Sequence, residues 1–291
     1  MMRSSNAQRG FSKPLAAFFL VVAVIGVSII SYGAILRRFV RESLMQRVTS
    51  SHYEILCPPR ALSQDSMTEF AMGREALFTS LNRKLGDAES NLEVRVIFDP
   101  EFPVPRMDQS ASQPYSVTGT TIRTVLNTRS PQLPAAADAE ALLRAAWGKP
   151  GNAQIARWTA IWLVGDWHGS EIGMAAAQVE QRLGHKKLAE LLGNPAGEIS
   201  SSDDHALLGA AWISEIAEFG GMETVRKLYN AKMARPNVAD ATKALGTTPL
   251  ELDRKWQMWM YSYLAGMPAA SHGQNMPMDM PMGMPTLGNG K

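Results

Sequence analysis

The sequence predicts an α+β domain behind a single transmembrane helix. Three observations lead there. Leu15 to Leu36 is an uncharged run of 22 residues. Strand-type patterns fall within residues 52–127, and from Pro134 onward apolar residues recur at helical spacing. Strands first and helices afterwards is the α+β order.

Taken in order, residues 1–14 form a short basic tail. The run 15–36 would span about 33 Å as a helix at 1.5 Å per residue, which matches the hydrocarbon core of a bilayer. A cleaved signal has a shorter apolar region, and Ser31-Tyr32-Gly33 is a poor cleavage site, so the run reads as an uncleaved anchor. Arg3, Arg9 and Lys13 precede it while Arg37, Arg38, Arg41 and Arg47 follow, so the charge rule nearly ties. A short tail before a large domain is the layout of a signal anchor. It places the body outside the cytoplasm, on a bacterial-type inner membrane. Residues 37–51 read as a juxtamembrane linker, 52–266 as the folded domain and 267–291 as a flexible tail.

Within the domain, residues 52–57 form a strand bounded by Pro58-Pro59. Ser66-x-x-Glu69 is a capping-box pattern opening a helix on Met67, Phe70, Leu77, Phe78, Leu81 and Leu85, closed by Gly86. Leu92, Val94, Val96 and Phe98 alternate as a strand, 99–118 is a Pro/Ser/Gln-rich loop, and Thr120 to Asn127 is a β-branched third strand. Helices are expected over 135–147, 153–168, 171–192, 203–219 and 222–233, with Gly220-Gly221 as a stop. Thr248-Pro249-Leu250-Glu251 opens a last helix with an apolar stripe of Leu252, Trp256, Trp259, Met260 and Tyr263.

Composition narrows the function. Residues 1–50 carry seven Lys/Arg and one acid, Glu42; the remainder carries 22 bases and 26 acids. A mildly acidic body without a Lys/Arg run argues against nucleic acid as a partner. The one cysteine, Cys57, permits no internal disulfide and reads as a small hydrophobe at a strand end.

Four blocks in order resemble the peptidase MA-like, or gluzincin-like, domains related to thermolysin. HYEILCPP before a helix ending in Lys84-Leu85-Gly86 is similar to that family's opening strand and helix, and LEVRVIFDPEF to its second strand. Trp162-Leu163-Val164-Gly165-Asp166 stands where the family has Trp-Leu-x-Glu-Gly. WISEIAEFGGMETVRKLY and KALGTTPLELDRKWQMWM resemble its closing helices. The resemblance spans about residues 52–264 and implies the gluzincin-like fold. The family's chemistry needs H-E-x-x-H on one helix face, two His on Zn²⁺ and the Glu as base, with a later Glu completing the site. The matching helix here is ADAEALLRAAW, which has no histidine. Glu140 stands at the base position, Ala139 and Leu143 at the ligand positions and Gly165 at the later Glu, with Asp166 one residue out of register. Zinc is therefore not expected, and Glu140 by itself reads as an exposed helix charge.

Gly165-Asp166-x-His168-Gly169 resembles one metal-binding element of the calcineurin-like phosphoesterases, but the companion elements are missing and the preceding IARWTAIWLV is helical, so chance is the better reading. His185 beside Lys186 and Lys187 reads as a solvated cluster, Asp203, Asp204 and His205 as a helix cap, and Trp147, Trp158, Trp162 and Trp167 as core. Met276, Met278, Met280, Met282 and Met284 alternate in the tail beside His272. Thioether sulfur suits Cu(I), so copper is a candidate ligand there.

Three functions follow. One is a membrane-anchored binding or scaffold protein whose degenerate cleft, with Glu140, Asp166 and His168 around it, holds a peptide or protein partner. The second is a hydrolase using those residues in a non-standard site. The third is a copper-handling protein acting through its tail.

Overall fold

The computed structural model describes residues 32, 33, 36, 40–86, 91–99, 115–126, 133–184, 187–193 and 202–265. Most of the anchor run, the methionine tail, His185 and His272 lie outside them. Among the described residues no helix is long and apolar enough to cross a membrane.

The architecture is mixed α+β. Strands β1 (Gln46–Thr49), β2 (Tyr53–Cys57), β3 (Val94–Phe98), β4 (Tyr115–Thr118) and β5 (Thr121–Thr124) form one sheet in the order β1-β2-β3-β5-β4. The central strands β2, β3 and β5 are parallel; β1 and β4 pair antiparallel as the edges. Helix α1 (Gln64–Lys84) crosses between β2 and β3. Phe70 meets Phe98 edge-on and Phe78 stacks on His52, so α1 runs antiparallel to the strands and ends beyond their N-terminal ends. Its N-cap is Ser63, whose hydroxyl accepts from Ser66 N, rather than Ser66 itself. Glu75 ties its middle to the β1–β2 turn by accepting from His52 N at 2.7 Å and Ser50 Oγ at 2.6 Å.

The helical half comprises α2 (Ala135–Trp147), α3 (Ala153–Val164), a hairpin of β6 (Asp166–Trp167) and β7 (Ser170–Glu171), α4 (Ile172–Leu183), α5 (Leu188–Gly193), α6 (Ser202–Asn230), α7 (Val238–Leu245) and α8 (Pro249–Ala265). Several boundaries differ from expectation for local reasons. The 153–168 helix stops at Val164 because Gly165 takes the left-handed conformation (φ 80°) that caps it. The 171–192 helix likewise ends at Gly184 (φ 77°). Gly220-Gly221 interrupts the helix as expected: Gly221 (φ 72°) is non-helical, and α6 is two helices meeting at a kink there. The segment 37–51 is not a linker, since it contains β1; the loop 99–118 ends in β4.

Two cores meet on α3. Its Ala156, Ala160 and Leu163 face Ile55, Val96, Phe98, Leu142 and other side chains of the sheet, α1 and α2. Its Ile155, Trp158 and Ile161 face Trp212, Trp256 and the other helices. Cys57 is fully buried at the end of β2, where burial pushes its thiol up to about 11. Trp158 is core; Trp147, Trp162 and Trp167 are half-buried against it. His205 is no cap. It is buried, stacks edge-on to Trp158 and bonds Leu191 O at 3.0 Å through Nε2, and burial lowers its pKa.

Candidate functional site

The cleft lies where edge strand β4, the start of α2, α3 and the β6–β7 hairpin come together. It has a volume of about 420 Å³. Leu133, Ala136 and Ile161 make an apolar floor; Tyr115, Arg157, Asp166, Trp167, His168 and Asp203 bring aromatic and charged groups to it.

Each wall follows from local chemistry. Arg157 is the only charge in the apolar helix AQIARWTAIWLV, and its guanidinium sits 5.7 Å from the Tyr115 ring centroid, a cation–π contact. The hairpin turns on His168 (φ 53°) and Gly169 (φ 85°), the two left-handed residues of a type I′ turn. Asp166 Oδ1 accepts from Gly169 N at 3.0 Å and closes it. The Gly-Asp-x-His-Gly string is therefore accounted for by turn chemistry. Lys84 Nζ donates to the carbonyls of Leu163 and Val164 at 2.9 and 2.8 Å, satisfying the last turn of α3 and fixing where the hairpin departs. Tyr263 OH donates to Glu171 Oε1 at 3.0 Å from the other side.

Beneath the start of α2 lies a buried triad. Asp138 is fully buried and accepts from Tyr53 OH at 2.8 Å and from Arg74 Nη1 at 2.7 Å; Arg74 also donates to Leu133 O. Burial pushes the Asp138 carboxyl above its ordinary range, against the downward pull of Arg74 and Tyr53. The triad joins β2, α1 and the segment leading into α2, so the cleft floor at Leu133–Ala136 is held from below.

Glu140 corrects the expectation of an exposed charge. It is 8% exposed and accepts from Arg144 at 2.6 and 3.1 Å. Burial raises its pKa, with Arg144 and then Arg157 pulling it down. It does not line the cleft; Arg157 links it electrostatically to the groups that do. Ala139 and Leu143 are fully buried and apolar. They stand where the resemblance would put zinc ligands and carry no donor atom; among the described residues no group of three His, Cys, Asp or Glu suited to a metal occurs.

Of the positions read from sequence, Asp166 and His168 share the cleft and Glu140 stands behind it. Met276, Met278, Met280, Met282 and Met284 fall outside the described residues. Tyr115 and Arg157 escaped notice, and Asp203 was read only as part of a helix cap. The isolated charge of Arg157 in an apolar helix was the available signal. The chain matches no protein-family profile, no curated protein and no solved structure.

Proposed function

We propose that this chain is a membrane-anchored, extracytoplasmic binding module whose cleft takes an extended peptide segment of a partner protein without hydrolysing it. The supporting observation is the cleft's position beside a sheet edge. Among the described residues strand β4 ends the sheet, Ser116 and Thr118 on it are exposed, and Tyr115 at its start lines the cleft. A peptide added to such an edge gains main-chain hydrogen bonds and turns alternate side chains toward one face. Apolar side chains would settle on Leu133 and Ile161 between Tyr115 and Trp167. Arg157, Asp166 and Asp203 would set the charge preference. The apolar, buried Ala139 and Leu143 support a non-hydrolytic role.

Peptides selected from a displayed random library on the full-length chain in nanodiscs test this reading. Trp167→Ala and Arg157→Ala should each weaken the selected peptides at least about tenfold, the loss of a centrally buried aromatic or charged contact. Met258→Ser, on the exposed face of α8, should leave affinity unchanged. Failure to enrich any peptide, or equal binding by all three variants, would reject the cleft as the site.

A further inference from the structure

The stretch from the end of the apolar run to β1 carries two kinds of side chain, each with its own destination. Tyr32, Leu36, Val40 and Leu44 recur every four residues and are 69, 50, 48 and 68% exposed. Residues 32, 33, 36 and 40–43 are helical. Four-residue spacing keeps such side chains on one broad face. An apolar face left open to within two residues of β1 marks an interaction surface.

The charged side chains of the same stretch grip the sheet. Arg41 pairs with Asp99 at 3.3 Å; Glu42 pairs with Arg123 and, at 3.7 Å, with Arg95. They complete an alternating ladder over the sheet face turned away from α1 and α2: Arg47–Glu54 at 3.0 Å, Glu54–Arg95 at 2.6 Å and Arg123–Asp99 at 3.4 Å. Glu42, Asp99 and Arg123 are only 17, 15 and 13% exposed, so solvent screens them less than a surface pair. By register Gln46 lies opposite Cys57, and Asp99 directly follows β3. The helix end is therefore fixed at the C-terminal end of the parallel strands, the end where Tyr115 pairs with Thr124.

We propose that the lipid surface is a docking partner of the domain: the Val40–Leu44 face seats in the headgroup layer and the ion-pair ladder holds the C-terminal end of the sheet against the bilayer. This rests on the membrane-anchor reading. Only residues 37–39 separate Leu36, near the hydrocarbon boundary, from the described stretch that starts at Val40, and a headgroup layer adds roughly 5–8 Å per side. The domain then starts at the membrane surface with little slack. The cleft's Tyr115 edge lies nearest the bilayer, suiting it to a membrane-proximal segment of another membrane protein.

Fluorophores on Ala61→Cys and Arg83→Cys of the full chain test this in phosphatidylcholine vesicles doped with a spin-labelled headgroup lipid. Both positions are exposed, while Cys57 is fully buried and stays unlabelled. Ala61 lies just past the C-terminal end of β2. Arg83 is at the opposite end of α1, roughly 30 Å away. Quenching should be at least about threefold stronger at residue 61, because a headgroup quencher does not reach that far. The double variant Arg41→Ala, Glu42→Ala should bring the ratio toward one. Equal quenching in the parent chain while it still floats with vesicles would overturn docking and leave the anchor standing. A ratio unchanged in the double variant would overturn the role of the ladder. Failure to float with vesicles would remove both anchor and docking.

Discussion

In the sheet core, Asp138 meets Arg74 and Tyr53, and Glu140 meets Arg144, each within hydrogen-bond distance. In the helical core, Glu215 on α6 is 1% exposed with its Oε2 unpartnered among the described residues. Burial pushes its pKa to about 7; Lys255 pulls it down and Glu218 pushes it up. Glu218 itself accepts from Trp259 Nε1 at 2.6 Å across the α6–α8 contact. The same event, sinking a carboxylate, thus fixes geometry beneath the cleft and leaves a proton-dependent joint between helices remote from it. A buried acid locks a fold when a cation is positioned for it and otherwise becomes a liability as soon as it ionises.

That contrast can be broken from the sheet side first. Asp138→Ala leaves Arg74 buried without its partner and should cost about 3–5 kcal/mol, read as a lower midpoint in urea. Asp138→Asn, which can still accept from Tyr53, should cost less. A loss below about 1 kcal/mol, the scale of an ordinary hydrogen bond, would mean the triad carries little.

From the helical side, Glu215→Gln should stabilise the protein by up to about 3 kcal/mol at pH 8. The sign follows from linkage. The folded-state pKa, about 7, lies above the ordinary 4.5. Between these values the folded protein holds a proton that the unfolded chain releases, so stability falls as pH rises through that window. Denaturation at pH 4 should show little difference between Gln and Glu, and a gap that does not widen toward pH 8 would assign Glu215 an unseen partner.

Gly209 sharpens the packing side. A Cβ there would stand 2.1 Å from the Trp158 ring, so Gly209→Ala should overpack the helical core and cost about 1–3 kcal/mol. The smallest expected effect is at α8, where Thr248 Oγ1 accepts from Glu251 N at 3.2 Å. Thr248→Ala should cost about 1 kcal/mol, a lost cap.

Where the sequence was informative, the cause was local. Ala135–Trp147 was legible because Pro134 starts the helix and Gly148 ends it, and α8 because Thr248-Pro249 does the same. Strands β1 and β4 were missed because four-residue edges owe their pairing to neighbours distant in sequence. Helix α7 was missed although Asn237 caps it, accepting from Asp240 N at 2.8 Å. Its eight residues give too short an apolar period. Glu140 and Arg144 stood four apart and so could be read as a pair, but the burial that shifts Glu140 comes from helices folding over it. The cleft joins residues from 115 to 206, and no local pattern spans that distance.

The central claim is a cleft that binds without a metal. Its most direct test is the affinity of a library-selected peptide for the full-length chain, measured with and without EDTA, followed by mass analysis of the peptide. An unchanged Kd and an intact peptide are expected. Loss of binding in EDTA, or a cleaved peptide, would contradict the account.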